Sequence, residues 1–185
     1  VTTNMFGDIL SDEAAELATD DDAKASVHFI RGRTYYQMGE WANSATSYET
    51  ALELGPGNPL FLNDLAYLYA DKLDRAEEAL PLAEDAVRQL PMDPNVIDTV
   101  GTILYELERY EEANQYFTRS LNIGPTALTR YHAGQALEAR GKMDDALLQY
   151  QKAQQIVNGY DDDLVIDIMD AIDRLRTWRR AQAEE

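Results

Sequence analysis

The chain has no cysteine. That rules out a disulfide framework, a thiolate nucleophile and a thiolate metal site, and it leaves the redox compartment open. Histidine is nearly as scarce. His28 and His132 are the only two, and the pattern described below sets them three repeats apart, too far to share a metal. Basic residues are few: 16 Lys and Arg stand against 34 Asp and Glu, for a net charge of −18. So acidic a chain repels phosphate backbones and anionic lipid, which disfavours nucleic-acid binding and leaves basic partners open. A solubilising or salt-adapted surface accounts for most of that charge. Long apolar runs are missing too. LFLNDLAYLYA is broken by Asn63 and Asp64 and is too short to span a bilayer. No secretory leader is visible. A soluble chain without membrane insertion is expected, cytoplasmic or periplasmic. No glycine loop to cradle phosphate and no Ser-His-Asp arrangement can be read from the sequence. The chain opens on Val1 rather than methionine, which leaves open that it is a piece of a longer protein.

What the sequence has instead is internal similarity, the first thing to look for in a chain of this length. Four stretches align: HFIRGRTYYQMGEWANSATSYETALELGP, LNDLAYLYADKLDRAEEALPLAEDAVRQLP, IDTVGTILYELERYEEANQYFTRSLNIGP and RYHAGQALEARGKMDDALLQYQKAQQIVNG. Each carries a small residue midway through a first helix, namely Gly32, Ala66, Gly101 and Gly134, at separations of 34, 35 and 33. A large residue follows three places on: Tyr35, Tyr69, Leu104 and Leu137. After a polar turn, a second helix carries a small residue, then a ring or small residue, then another small one. These sets are Ser44, Tyr48, Ala51; Ala79, Ala83, Ala86; Ala113, Phe117, Ser120; and Ala146, Tyr150, Ala153. Spacings of three and four place each set on one helical face. Small residues let two backbones come close while the ring fills the gap beside them. Pro56, Pro91 and Pro125, and Asn158-Gly159 in the fourth copy, stop each unit, since proline cannot continue a helix. One unit cannot bury its apolar face alone, but stacked units can.

This pattern closely resembles the tetratricopeptide repeat, a 34-residue helix-turn-helix unit, over about residues 24–158. The resemblance implies an all-α solenoid of antiparallel helix pairs. Four units are expected over 23–158, with an N-terminal segment at 1–22 and a capping helix at 159–185. Departures are local. The family's bulky first-helix position holds His28 in the first copy and Arg130 in the fourth. The second copy has one extra residue near its turn, and the fourth is one shorter. Pro81 falls inside the second copy's second helix, where it should kink the axis or delay the helix start. The stretch LNDLAYLYADKLDRAEEALPLAEDAVRQLPMDPNVIDTVGTILYELERYEEA is also similar to repeat proteins of bacterial exopolysaccharide and envelope assembly.

In such arrays the first helices line a groove that takes peptides. Carried over by position, that implies Phe29, Arg33 and Tyr36 in the first copy and Leu60, Asn63 and Tyr67 in the second. The third supplies Asp98, Thr102 and Tyr105, and the fourth Leu128, Tyr131, Gln135 and Glu138. Tyrosine with arginine and asparagine suits peptide recognition, because rings give contact area and amides satisfy backbone groups; the same tyrosines could simply cover adjacent helices. Family members that bind chaperones clamp a terminal carboxylate with Lys, Asn and Arg. Here those positions hold Phe29, Arg33, Asp64, Asn95 and Thr99, with Arg33 the only base, so that activity is not expected. What the resemblance implies is a non-catalytic scaffold or adaptor for a peptide or protein, without cofactor, with self-association open to it.

The two ends read differently. After Gly159, Leu164, Ile168, Ile172 and Leu175 make an apolar stripe at helical spacing. Asp161 to Asp163 stand where an N-cap and first-turn acids belong. Arg174, Arg176, Arg179 and Arg180 stand toward the end, where a helix dipole favours cations. A capping helix accounts for all of this; an arginine-rich binding patch is the rival. At the front, NMFGDILSDEAA resembles the metal-binding signature of the isopropylmalate/isocitrate dehydrogenase family over about 17 residues. In that family two aspartates four apart help hold Mg²⁺ or Mn²⁺, and Asp8 and Asp12 match them. Hard cations prefer carboxylate oxygens, and an i, i+4 pair presents two on one face. The family's glycine-rich continuation is replaced here by LATDDDAKAS, and the chain has no room for the substrate and dinucleotide sites. Counting back one repeat places Leu10, Ala14 and Leu17 in the register of a second helix, so an N-terminal packing helix is expected, ended by Asp20 to Asp22. The alternative is a fragment of a fusion to such a dehydrogenase, retaining a remnant divalent-metal site.

Overall fold

The computed structural model describes residues 20–157 and 162–184. Asp8, Asp12, Leu10, Leu17 and the expected N-terminal helix lie outside the described residues, as does Asp161. Among the described residues nine α-helices follow one another with no strand between them. They are α1 (Asp21–Gln37), α2 (Trp41–Leu54), α3 (Pro59–Lys72), α4 (Ala76–Gln89), α5 (Pro94–Glu106), α6 (Tyr110–Ile123), α7 (Ala127–Ala139), α8 (Met143–Ile156) and α9 (Asp162–Glu184). The chain divides into two compact units, residues 1–90 and 91–185. In the first, α1 packs on α2, α2 on α3 and α3 on α4; in the second the same order runs from α5 to α9.

Helix starts follow local chemistry. Asp20, Asn58, Asp93 and Thr126 each accept a hydrogen bond from a backbone N–H of the first turn of α1, α3, α5 and α7. These caps satisfy donors that a helix leaves orphaned. Pro59 and Pro94 occupy the first helical position, where a missing N–H costs nothing. The second helices α2, α4, α6 and α8 have no side-chain cap, so packing against the first helix of the pair holds them. α4 begins at Ala76 and runs through Pro81 to Gln89. Pro81 therefore does not delay the helix start.

Every pair turns over three residues, and the middle one takes a left-handed backbone. Gly39, Asp74, Glu108 and Gly141 have φ of 74°, 54°, 58° and 73°. The next backbone N–H closes the turn, from Glu40 to Tyr35, Arg109 to Leu104 and Lys142 to Leu137 at 2.8–2.9 Å. In the second copy Arg75 reaches Tyr69 instead, six residues back at 2.9 Å. The extra residue of that copy thus lengthens the first helix and leaves the turn intact. A non-glycine residue in this conformation costs about 1 kcal/mol. Glu108→Gly should accordingly stabilise the second unit by about 0.5–1 kcal/mol, seen as a higher urea midpoint, while Gly141→Ala should destabilise it by a similar amount.

Small residues and rings do what their spacing implied. A Cβ built on Gly32, Gly101 or Gly134 would fall 2.5, 2.5 and 2.4 Å from ring atoms of Tyr48, Phe117 and Tyr150. Those rings are buried, and their helices can approach only because the facing residue lacks a side chain. The second copy solves the same contact differently. Ala66 stands at the glycine register and Ala83 at the ring register, both fully buried. Two methyl groups there replace a ring and a hydrogen.

α9 closes the second unit. Ile168, Ala171, Ile172 and Leu175 are buried with Leu137, Ala146, Leu147, Tyr150 and Ala153 of α7 and α8, and Leu164 packs at the edge of that core.

Candidate functional site

The first helices of each unit carry the predicted binding positions, and each unit stands by itself. In the first, α1 and α3 bring Arg33, Tyr36, Asn63, Asp64 and Tyr67 into one polar and aromatic patch. The Tyr36 ring lies 5.2 Å from Trp41 and 6.3 Å from Tyr67, and its hydroxyl donates to Asp71 Oδ2 at 3.4 Å. Burial, with the charge of Asp71 behind it, pushes the Tyr36 phenol up to about 12. It is therefore a neutral donor at any physiological pH. Arg33 is exposed. Asn63 Nδ2 donates to Asp64 Oδ1 at 3.2 Å, while Asn63 Oδ1 is buried without a hydrogen-bond partner. Leu60 is half exposed at the rim. Phe29 lies deeper than a groove position would require. It stacks 4.6 Å from Phe61 and 5.6 Å from Tyr48, against the small core around Ala25 and Ala51.

Asp64 sits at the centre of this patch, and its burial raises its carboxyl above the ordinary range. The hydrogen bond from Asn63 and the charge of Arg33 pull the other way without cancelling the effect. The sign for stability follows. A carboxyl whose folded pKa is raised favours the folded state while protonated and loses that contribution as pH rises through the folded value. Asp64→Asn should therefore stabilise the first unit at neutral pH, and the gain should vanish in thermal melts taken near pH 4. A gain independent of pH would mean that burial of the charge is not its cause.

In the second unit α5 and α7 place Asp98, Thr102, Tyr105, Tyr131, Gln135 and Glu138 on their first-helix faces, with Leu128 exposed at the edge. Asp98 and Thr102 are buried and engaged internally. The His132 Nδ1–H donates to Asp98 Oδ2 at 3.0 Å. Thr102 Oγ1 donates to the Asp98 carbonyl at 3.2 Å and lies 3.4 Å from the same ring nitrogen. The His132 ring packs against Phe117 at 5.6 Å and Tyr131 at 6.3 Å. Asp98 Oδ1 is buried with no hydrogen-bond partner. Sequence reasoning treated His132 only as a metal candidate and missed this tie between α5 and α7. One signal was present: the 33-residue step between Gly101 and Gly134 sets Tyr131 opposite Asp98, with His132 beside it.

Glu138 is also committed. It accepts from the Tyr150 hydroxyl at 3.0 Å and from Arg174 of α9 at 3.2 and 2.9 Å. Tyr105 and Tyr131 are half-buried, and burial raises both phenols. Gln135 remains half-buried on the same face. Of the carboxylate-clamp positions, Arg33 is the exposed base, Asp64 is the raised carboxyl, and Thr99 Oγ1 donates to the Asn95 carbonyl within α5 at 3.1 Å. Among the described residues no group of three or more His, Asp or Glu side chains is placed to hold a metal ion, and no helix is long and apolar enough to cross a membrane.

Comparison with known proteins agrees with this architecture. A family model described as Tetratricopeptide repeat matches residues 31–94 and 101–161. A TPR repeat-containing protein of Pseudomonas aeruginosa is 34% identical over 80 residues, which are 43% of this chain and 14% of that much longer protein. Among solved structures, a thermophilic TPR protein from Thermus thermophilus superposes with a TM-score of 0.67 at 19% identity, covering 91% of this chain and 98% of that one. MamA from Desulfovibrio magneticus RS-1 gives 0.64 at 14% identity, covering 84% and 96%. At those identities the structural likeness speaks to fold.

Proposed function

The chain belongs to the tetratricopeptide-repeat family, and from that premise we propose that it is a non-catalytic scaffold or adaptor that holds a peptide or protein segment against its first-helix faces. The family is typically one of non-enzymatic scaffolds. The observation that carries the reading is the patch of the first unit. An exposed guanidinium, two half-buried tyrosines and a buried amide oxygen without a partner lie on adjacent helices. A buried acceptor left unpaired costs about 1–3 kcal/mol, and rotation of the Asn63 side chain outward to a backbone N–H of a bound segment would relieve that cost. In the second unit Tyr105, Tyr131 and Gln135 offer a similar mixture of ring and amide. Phe29, Asp98, Thr102 and Glu138 contribute by supporting that surface, each being occupied inside its own unit.

The acidic composition, −18 overall, favours a segment of basic character. The test is capture of partners with the intact chain followed by titration of the strongest. Changing Arg33, Asn63 and Tyr67 together to alanine should weaken that complex at least tenfold while leaving helical circular dichroism nearly unchanged. Undiminished affinity in the triple variant would place the partner on another surface.

A further inference from the structure

The arginines of α9 are not explained by the helix dipole. The helix runs to Glu184, and its last turn holds no basic residue. Because the dipole acts within the last turn, Arg176, Arg179 and Arg180 stand too far from the end to gain from it. Arg174 is absorbed by Glu138. The other three are different. Together with Gln151 and Leu147 of α8 and Ala183 they line a cavity of about 400 Å³ between the two helices. Its lining carries three positive charges and no carboxylate, in a chain of net charge −18. Arg176 meets Asp173 at 3.7 Å and Arg179 meets Asp144 at 3.4 Å, both in exposed pairs. Pairs of that kind are worth little and exchange readily. Arg180 makes no ion pair among the described residues.

The same side of α9 is apolar further toward its start. Ile166 and Met169 are 55% and 49% exposed, and they precede Arg176 and Arg180 at spacings of three, seven and four, which align all four along one side of the helix, with Asp173 between the two pairs and held by Arg176. This side lies next to the face that buries Ile168 and Ile172 and is uncovered among the described residues. From Ile166 to Arg180 it extends about 21 Å, or roughly four helical turns.

We propose that this side of α9, with the arginine-lined cavity beside it, docks an acidic amphipathic helix of a partner protein. The partner's apolar stripe would cover Ile166 and Met169, and its carboxylates would meet Arg176, Arg179 and Arg180, for which guanidinium forks are well matched. A free anion needs no apolar half, and a nucleic-acid backbone has no apolar stripe to cover Ile166 and Met169. The surface is separate from the first-helix patches, so it stands or falls independently of them.

The test uses the full chain and a fluorescent 18-residue helical peptide with leucines at heptad a and d positions and glutamates on the flanks. Control peptides carry glutamine or lysine in place of glutamate. Anisotropy should show binding of the glutamate peptide, weakening as salt rises, with the two controls at least tenfold weaker. Arg176→Glu with Arg180→Glu should reduce affinity at least tenfold, and so should Ile166→Ser with Met169→Ser, both variants keeping the parental melting temperature. Absence of binding, equal binding of the glutamine peptide, or insensitivity to either pair of substitutions would overturn the proposal. Loss of the signal to millimolar inorganic phosphate, with no contribution from Ile166 and Met169, would reassign the cavity to a free anion. If sedimentation shows self-association of the chain that the arginine substitutions abolish, the occupant is a second copy and the proposal is wrong as stated.

Discussion

Replacing Gly101 with leucine is expected to lower the stability of the second unit by about 3 kcal/mol or more, at the upper end of what overpacking costs. Even a methyl group at this position would fall 2.5 Å from a ring carbon of Phe117. The ring is buried, with 1% of its surface exposed. In a chain of this size such a loss corresponds to a fall in melting temperature of roughly 6–12 °C. The reason for expecting it can be checked separately. Phe117→Ala alone should cost about 3–5 kcal/mol through the cavity it leaves. Combining Gly101→Ala with Phe117→Ala reproduces the Ala66 and Ala83 arrangement of the second copy. The double variant should therefore lose less than the sum of the two single variants, by about 1 kcal/mol or more. Strict additivity would show that the two residues do not meet as described.

The second large effect is expected at the end of the chain. Ile168→Ala with Ile172→Ala should cost about 4 kcal/mol or more, since a buried isoleucine truncated to alanine typically costs about 2–5 kcal/mol. Both side chains are fully enclosed against α8. Ile166→Ala with Met169→Ala, on the neighbouring uncovered side of the same helix, should change stability by no more than about 0.5 kcal/mol. Urea unfolding of the two double variants side by side measures the difference between an apolar residue that closes the stack and one that is left outside it. If both pairs cost the same, α9 is packed in another rotation.

Much of this molecule was legible without coordinates because repetition makes local chemistry visible. A glycine, a large residue three places on, a ring in the next helix and a proline stop recur with one phase, and the second copy keeps that phase with alanines in place of the glycine and the ring. The contacts between Gly32 and Tyr48, Gly101 and Phe117, and Gly134 and Tyr150 follow from that phase alone. Asp20, at the break that begins α1, was legible in the same way, whereas Asn58, Asp93 and Thr126 are seen as caps only in the folded chain. The apolar stripe of α9 was readable for the same reason. Periodicity within one helix needs no knowledge of the partner.

What the sequence could not decide depends on contacts between helices that no period specifies. Register placed Asp98 and Thr102 on a first-helix face, but only packing of α5 against α7 shows that His132 covers them, because one rotational step along a helix separates a groove residue from a buried one. Phe29 sinks toward Phe61 for the same reason. Proline's chemistry warned of a broken helix at Pro81, yet α4 begins at Ala76 and continues through it, held by Ala79, Ala83 and Ala86 in the core. The arginines near the end of the chain looked like dipole partners until the helix was seen to run past them to Glu184. Arg176, Arg179 and Arg180 instead line a cavity with Leu147 and Gln151, on a different helix. Sequence alone determined the all-α repeat, its phase and its stops, since those are set by residues a few positions apart. Only the tertiary structure decided which side chains remain free to meet a partner, because burial is a property of neighbours that the chain brings together by folding.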